Sequence, residues 1–329
     1  MFKKILIGFG SLIVAIYGGL WLLNLQTFPV AYGISFSKNY ASSLGLDWKK
    51  TYLDILTDLK PKYVRLGVEW NAVEPEPGKF NFTETDFLLA EAQKHEVKVL
   101  LVIGQKIPRW PECYFPNWFE KTAKKDEAIL NYLTKVVERY KNNPALEIWQ
   151  VENEPYISFD FGVCGSFNPD LVAQEIALVK KIDPNHKILV TDSGELSTWR
   201  KSIWASDLFG STMYRTVVSP DGLLFYYDWL PASFYRIKLW FFNRPVSEFF
   251  VAELQAEPWF HKAGPLNTNS IESEKTMNPI RLQKHFDLVK HIGMPRAYLW
   301  GAEWWYFMKE KNGDARYWDL AKQNILGQK

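Results

Sequence analysis

The sequence predicts an α/β protein, a single (β/α)8 barrel preceded by an N-terminal transmembrane helix. Short aliphatic and β-branched runs alternate with longer amphipathic stretches, as in βα units repeated around a parallel sheet. Eight such runs follow one another within 329 residues, a length that suits one barrel domain with appendages. An uncharged apolar run stands before the first of them.

The N-terminal run has the composition of a signal anchor. Lys3 and Lys4 precede Ile5 to Leu23, which holds no charged side chain. At about 1.5 Å per residue, a helix of this length approaches the thickness of the hydrocarbon core, roughly 30 Å. No small-residue cleavage site follows. We therefore expect an uncleaved anchor over 1–27 with a cytoplasmic N-terminus, and a barrel domain over 28–329 that is periplasmic or at the cell surface.

Charge composition excludes one class of partner. The net charge of +2 comes from Lys3 and Lys4, because the rest of the chain carries equal numbers of basic and acidic residues. A neutral domain has no electrostatic footprint for nucleic acid.

The predicted strands and helices alternate along the chain after the anchor. The strands are expected at Ala31 to Phe36, Tyr63 to Gly67, Val97 to Ile103, Leu146 to Val151, Lys187 to Thr191, Leu208 to Met213, Phe249 to Leu254 and Ala297 to Gly301. Helices are expected at Trp48 to Lys60, Phe87 to His95, Lys125 to Lys141, Asp170 to Ile182 and Ile280 to His291, with a last one after Ala315. No predicted strand is followed by a glycine-rich phosphate loop. The sequence therefore lacks the main evidence for an open, nucleotide-binding sheet.

Two glutamates stand at the ends of predicted strands. The fourth strand delivers Asn153 and Glu154, and the seventh delivers Glu253. In a barrel, chemistry sits at the C-terminal ends of the strands, so both carboxyls reach one face from nearly opposite sides. A lone glutamate there would be read as a helix cap or a solvated charge. A facing pair supplies the protonated and the ionised carboxyl that glycosidic cleavage needs.

These residues resemble the clan A glycoside hydrolases, retaining barrel enzymes that include family 5 cellulases and mannanases and family 39 and 42 β-glycosidases. The likeness covers about residues 31–325. It includes the Asn-Glu-Pro triplet at Glu154, the run Tyr63 to Trp70, and the loop Val73 to Phe82, which looks like the clan's "W-x-x-x-E-P-x-P-G-x-[FY]" pattern. The resemblance implies that Glu154 is the general acid/base and Glu253 the nucleophile.

The resemblance implies further roles near the nucleophile and the sugar. Arg65 would pair near the nucleophile, Asn153 would bond the sugar 2-hydroxyl, Tyr214 would touch the nucleophile and Trp300 would lie under the bound sugar. The chain departs from the clan where Ala256-Glu257-Pro258 follows the seventh strand, which leaves Glu257 as an alternative nucleophile. Glu253 is favoured because it stands at the strand's end and heads an E-x-Q triplet.

Tryptophans and cysteines complete the predicted site. Aromatic faces pack on sugar rings, and several of the 15 tryptophans lie just past strands, so we expect Trp70, Trp259, Trp300 and Trp304 to bind substrate. Cys113 and Cys164 fall in neighbouring loops, where an exported protein can form a disulfide.

The sequence therefore predicts a retaining glycosidase that cleaves β-glycosidic bonds in an oligo- or polysaccharide, with carboxyls roughly 5 to 5.5 Å apart. It predicts no cofactor and no metal, because the histidines fall mostly in helices or turns and no H-x-H occurs. Two alternatives stay open, a transglycosylase using the same residues and a membrane-anchored barrel that binds carbohydrate without turnover. The sugar, the linkage, endo or exo attack and the oligomeric state are not predicted.

Overall fold

The computed structural model describes residues 2–157, 162–219, 222–260, 264–268 and 270–327. Eight parallel strands close into a barrel in the order β1-β2-β3-β4-β5-β6-β9-β10, with β10 pairing back to β1. The barrel strands are β1 (Ala31–Phe36), β2 (Tyr63–Gly67), β3 (Lys98–Ile103), β4 (Leu146–Val151), β5 (Lys187–Asp192), β6 (Leu208–Met213), β9 (Phe249–Gln255) and β10 (Arg296–Trp300). The predicted barrel is confirmed, and each predicted strand lies within one residue of its observed bounds at either end.

Helices surround the barrel, and an antiparallel pair of short strands lies outside it. The strand pair is β7 (Thr216–Val218) with β8 (Leu224–Tyr226). The α-helices are α1 (Phe2–Leu23), α2 (Lys38–Ser43), α3 (Trp48–Asp54), α4 (Trp70–Val73), α5 (Thr83–Lys94), α6 (Lys125–Tyr140), α7 (Val172–Ile182), α8 (Ser233–Trp240), α9 (Gly264–Asn267), α10 (Ser270–Thr276), α11 (Pro279–Val289), α12 (Ala302–Asn312) and α13 (Arg316–Leu326). The predicted helix from Trp48 continues past α3 as one π-helical turn, Ile55–Leu59.

Two layers of core hold the barrel together. Side chains such as Leu100, Ile148 and Phe250 fill its interior. A larger group of apolar side chains, including Leu101 and Trp149, packs between the strands and the surrounding helices. The two groups arise because successive residues of a strand point to opposite faces of the sheet. Both faces of the sheet are therefore buried, which explains the nearly continuous apolar runs in the sequence.

The predicted signal anchor corresponds in position to α1. Met1 and the side chains of residues 2–7 and 13 lie outside the described part of the chain. In the part that is described, no helix combines the length and the apolar character needed to cross a bilayer. The structure thus gives no support to the predicted transmembrane anchor.

Candidate active site

Glu154 is held at the end of β4 by its neighbours on β5 and β6. Its backbone N–H donates to Thr191 Oγ1 at 2.9 Å, and the Thr212 hydroxyl donates to its Oε1 at 2.9 Å. The residue adopts a left-handed conformation with φ 47°, a strained state that is found mainly where function requires it. Burial, then the nearby charges of Glu253 and Glu112, raise the pKa of Glu154 to about 8. The carboxyl is therefore protonated at neutral pH, as a general acid must be.

Glu253 lies near the end of β9 and is bound on both oxygens. Arg65 Nη1, on β2, donates to its Oε1 at 2.7 Å, and the Tyr214 hydroxyl donates to its Oε2 at 2.8 Å. All three side chains are largely removed from solvent, Arg65 being only 1% exposed. A buried guanidinium and a phenolic hydroxyl therefore hold both oxygens of the Glu253 carboxyl in place.

Arg65 also orients Asn153, the residue before Glu154. Its Nη2 donates to Asn153 Oδ1 at 2.8 Å, and its Nε donates to Gln150 Oε1 at 2.8 Å. The Thr191 hydroxyl donates to the same Asn153 oxygen at 3.2 Å. Because that oxygen is occupied, the group that Asn153 has left to offer a ligand is its NH2.

The two glutamates share one cleft of about 880 Å³ at the C-terminal ends of the strands. Such a volume falls in the range of small-molecule sites, which are typically about 300 to 1,000 Å³. Aromatic side chains line it, among them Tyr214, Trp259 and Trp300, and the Tyr214 and Trp259 rings meet edge to face at 5.5 Å. Asn153 lines the same cleft.

Residues 67–203 match the family model described as glycosyl hydrolase family 10. The curated relatives include the mannan endo-1,4-β-mannosidase 5 of Arabidopsis thaliana, 25% identical over 147 residues, which are 37% of this chain and 34% of the relative. The endo-1,4-β-xylanase 2 of Claviceps purpurea is 28% identical over 137 residues, 38% of each chain. Among solved structures, xylanase 10B of Thermotoga petrophila in complex with xylobiose has a TM-score of 0.56 at 16% identity, covering 83% of this chain and 82% of that one.

The chain is similar to the clan A glycoside hydrolases. The resemblance predicted from the sequence is thereby confirmed. The matched segment is a fraction of each curated relative, from 26% of a mannosidase of Aspergillus flavus to 47% of one of Arabidopsis thaliana. What those relatives act on is therefore carried to this chain only as a proposal.

Two of the tryptophans expected to bind substrate lie in the core of the protein instead. Trp70 stacks on Tyr132 at 5.0 Å, and Trp304 meets Tyr317 edge to face at 4.5 Å. Both tryptophans are 1% exposed and neither lines the cleft. Each begins or nearly begins a helix that covers the barrel, so its side chain is directed into the layer between strands and helices. A tryptophan's position after a strand in the sequence therefore does not show whether it lines the cleft or packs in the core.

Glu257, the alternative nucleophile, has a different partner. Arg109 binds both of its oxygens and also approaches Glu303 Oε2 at 3.4 Å. The Arg109 guanidinium is itself stacked between the rings of Tyr40 and Trp300, 3.9 Å from each ring centroid. Glu257 is thus committed to a charge cluster at the side of the cleft, whereas Glu253 has the tyrosine and arginine expected of the nucleophile.

Glu152 and Thr212 are site residues that sequence reasoning missed. Glu152 is fully buried, and its carboxyl accepts from the backbone N–H groups of Gln105 and Lys106 at 2.6 Å each. A side chain at Gly104 would lie 2.2 Å from Glu152 Oε1, so only glycine lets this carboxyl approach the loop after β3. Thr212 could have been found, because it occupies the end of the sixth strand beside the expected position of Glu154.

The loops beside the cleft are joined by the predicted disulfide. Cys113 and Cys164 are bonded, with their Cα atoms 5.2 Å apart. Among the residues that the structure describes, no group of three or more His, Cys, Asp or Glu side chains is arranged to hold a metal ion. His261, one of the five histidines considered in the sequence, lies outside the described residues.

Proposed function

We propose that this protein is a glycoside hydrolase that cleaves β-linked glycans with retention of configuration, using Glu154 as acid/base and Glu253 as nucleophile. One observation carries the proposal. Two glutamates face one cleft in different environments, Glu154 with a pKa raised to about 8 and Glu253 hydrogen-bonded by Arg65 and Tyr214. Carboxyls with environments that differ in this way are the acid and the nucleophile of a retaining glycosidase.

The reaction proceeds in two displacements. Glu253 Oε attacks the anomeric carbon as the glycosidic bond breaks, and Glu154 gives its proton to the leaving oxygen. Glu154, now a carboxylate, takes a proton from water, which attacks the anomeric carbon and releases Glu253. The Arg65 and Tyr214 hydrogen bonds keep the leaving carboxylate stable at the end of this step. The carboxyl separation of roughly 5 to 5.5 Å stays a prediction.

The substrate class follows from the cleft and from the names of the relatives. Trp259 and Trp300 offer aromatic surface for pyranose rings. The similar proteins include enzymes named for mannan and for xylan, so β-1,4-linked mannan or xylan oligosaccharides are the first candidates.

The test is hydrolysis of a panel of β-linked oligosaccharides and aryl glycosides by the full chain. Glu154→Gln and Glu253→Gln are compared with Glu76→Gln, an exposed control outside the cleft. Turnover that is lost in both cleft variants and kept in the control supports the proposal. Longer products at high acceptor concentration would identify the same residues as a transglycosylase. Sugar binding without turnover would instead support a carbohydrate-binding barrel.

The location of the enzyme is proposed from its disulfide. Disulfides persist in oxidising compartments and are rare in the cytosol. The bond between Cys113 and Cys164 therefore supports a catalytic domain, from about residue 28 onward, on the outer side of the membrane.

A further inference from the structure

Helix α1 is fixed to α8 in a defined direction. The Tyr17 hydroxyl donates to Trp229 O at 2.6 Å, and Ser233 Oγ donates to Leu20 O at 2.6 Å. Further along, Arg236 Nη2 donates to Leu23 O at 2.8 Å. The contacts advance together along both segments, so α1 runs parallel to α8.

The direction of α8 then shows where the free part of α1 points. The chain enters α8 from the C-terminal end of β6 and leaves it towards the start of β9. Helix α8 thus runs from the cleft side of the barrel to the opposite side. Because α1 is parallel to it, the part of α1 before Tyr17 extends beyond the barrel on the cleft side, by roughly 22 Å at 1.5 Å per residue.

This projecting part of α1 is apolar and exposed on several sides. Phe9 is 63% exposed and Val14 is 71% exposed, although at 100° per residue they point about 140° apart around the helix. Leu12 and Ile16 are also exposed. The sequence holds no charged residue between Lys4 and Lys38.

The strand pair β7–β8 continues the same apolar surface to the rim of the cleft. Leu223, Phe225 and Trp229 are exposed, and Trp229 provides the carbonyl that Tyr17 binds. Val217 on β7 and Tyr227 after β8 line the cleft itself. The projecting part of α1, residues 8–16, and the exposed side chains of Leu223, Phe225 and Trp229 are together called the apolar rim.

We infer that the apolar rim rests on a phospholipid bilayer, so that the cleft faces the lipid surface. Contiguous exposed apolar surface of this kind marks a binding surface. A protein groove or a second copy would cover one side of α1, whereas lipid surrounds a helix that is apolar on several sides. Tryptophan and phenylalanine suit the boundary between acyl chains and headgroups. No helix has to cross the bilayer for this contact.

The orientation bears on substrate choice, and in this respect the inference rests on the proposed function. A cleft turned towards the bilayer meets glycans that are carried at the lipid surface before it meets glycans in solution. The substrate class assigned by the geometry is therefore a β-linked glycan attached to, or lying on, the membrane.

The test compares two variants, each with one fluorescent probe, on the cleft side of the barrel in one variant and on the opposite side in the other. Both cysteines of the sequence are in the disulfide, so an introduced cysteine is the only free thiol. Leu223→Cys lies in the apolar rim, and Val246→Cys, also exposed, precedes β9 on the opposite side of the barrel. Each full-length variant carries an environment-sensitive nitrobenzoxadiazole label and is mixed with vesicles of phosphatidylethanolamine and phosphatidylglycerol.

We expect a several-fold rise and a blue shift of emission for the probe at position 223, with quenching by brominated acyl chains, and no change at 246. Equal responses at both positions, or none at 223, would overturn the inference. A blue shift at 223 without vesicles, in a chain of dimeric mass by light scattering, would assign the rim to a second copy and also overturn it.

A second measurement separates this inference from the proposed activity. Phe225→Ser with Trp229→Ser should slow cleavage of a vesicle-tethered glycan several-fold and leave cleavage of the same glycan in solution unchanged, because neither residue lines the cleft. Equal rates on the tethered glycan would contradict the orientation. Absence of turnover in solution by the unmodified chain would contradict the proposed function instead, while the probe result would stand.

Discussion

The Tyr214 hydroxyl donates a 2.8 Å hydrogen bond to Glu253 Oε2, on the carboxylate whose other oxygen is bound by Arg65. In the proposed mechanism, this bond fixes the direction of the attacking oxygen and stabilises its charge. The Tyr214 side chain is partly buried, and desolvation followed by the charge of Glu253 raises the pKa of its phenol well above the usual value. The phenol therefore remains a donor throughout the pH range of the enzyme.

Replacing Tyr214 by phenylalanine tests this bond. A hydrogen bond to a charged group contributes about 1.5 to 3 kcal/mol, so kcat/KM should fall roughly 10- to 100-fold. Steady-state kinetics on the best substrate of the panel measure the change. Tyr226→Phe, an exposed tyrosine outside the cleft, is the control and should retain full activity. Unchanged kinetics for Tyr214→Phe would remove this residue from the mechanism.

Thr212→Val should move the basic limb of the pH profile. The limb in kcat/KM reports the free enzyme's acid, and the pKa of Glu154 is raised to about 8, so activity should decline above pH 8. The Thr212 hydroxyl donates to Glu154 Oε1 and lowers its pKa relative to burial alone. The isosteric valine removes that donor, and the limb should shift to higher pH. A limb that stays in place or moves to lower pH would contradict the assignment of Glu154 as the acid.

Most residues of this site could be predicted from the sequence, because the ends of the strands can be recognised from the ends of apolar runs. Asn153, Glu154 and Tyr214 stand just past the ends of predicted strands and Glu253 stands near the end of one. A closed barrel brings such ends to one face. Arg65 lies within β2 and reaches the same face with its long side chain. The structure indeed brings them together around Glu253 and the cleft.

Other features depend on side-chain direction and packing, which the sequence does not encode locally. Trp300 is the last residue of β10 and lines the cleft, whereas Trp70 and Trp304 lie a few residues past strands, in the first turns of α4 and α12, and are buried in the core. Strand β8 lies in the aromatic stretch between the sixth and seventh barrel strands, and it forms by pairing with β7.

Trp300 and Trp304 should therefore respond differently to replacement by alanine. Trp304 is a packed core side chain, and its loss should cost about 3 to 5 kcal/mol of unfolding free energy. Trp300 lines the cleft, and its loss should raise KM for oligosaccharides with a smaller effect on stability. Urea denaturation and steady-state kinetics on both variants check the contrast. A stable, KM-impaired Trp304→Ala would show that the core position described for this residue is wrong.

Glu154→Gln should be more stable than the unmodified chain above neutral pH. A carboxyl with a folded pKa near 8 and an ordinary unfolded pKa of 4.5 keeps its proton only in the folded state between these values, so native stability declines as pH rises through that window. The amide cannot ionise and avoids this loss. Its advantage should grow by at least about 1 kcal/mol between pH 5 and pH 8.

Urea unfolding at the two pH values measures the difference, with Glu138→Gln on the exposed side of α6 as the control that should show no pH-dependent gain. An advantage for Glu154→Gln that shrinks with rising pH would mean that the native state prefers the ionised carboxyl.

The most direct measurement is covalent trapping of the glycosyl-enzyme. A 2-deoxy-2-fluoro β-glycoside with a good leaving group, built on the sugar identified by the panel, slows release of the sugar from the nucleophile. Mass spectrometry of the digested protein should find one glycosyl group on the peptide that contains Glu253, and none in Glu253→Gln. A label on Glu257, or turnover with inversion and no label at all, would contradict the proposed mechanism.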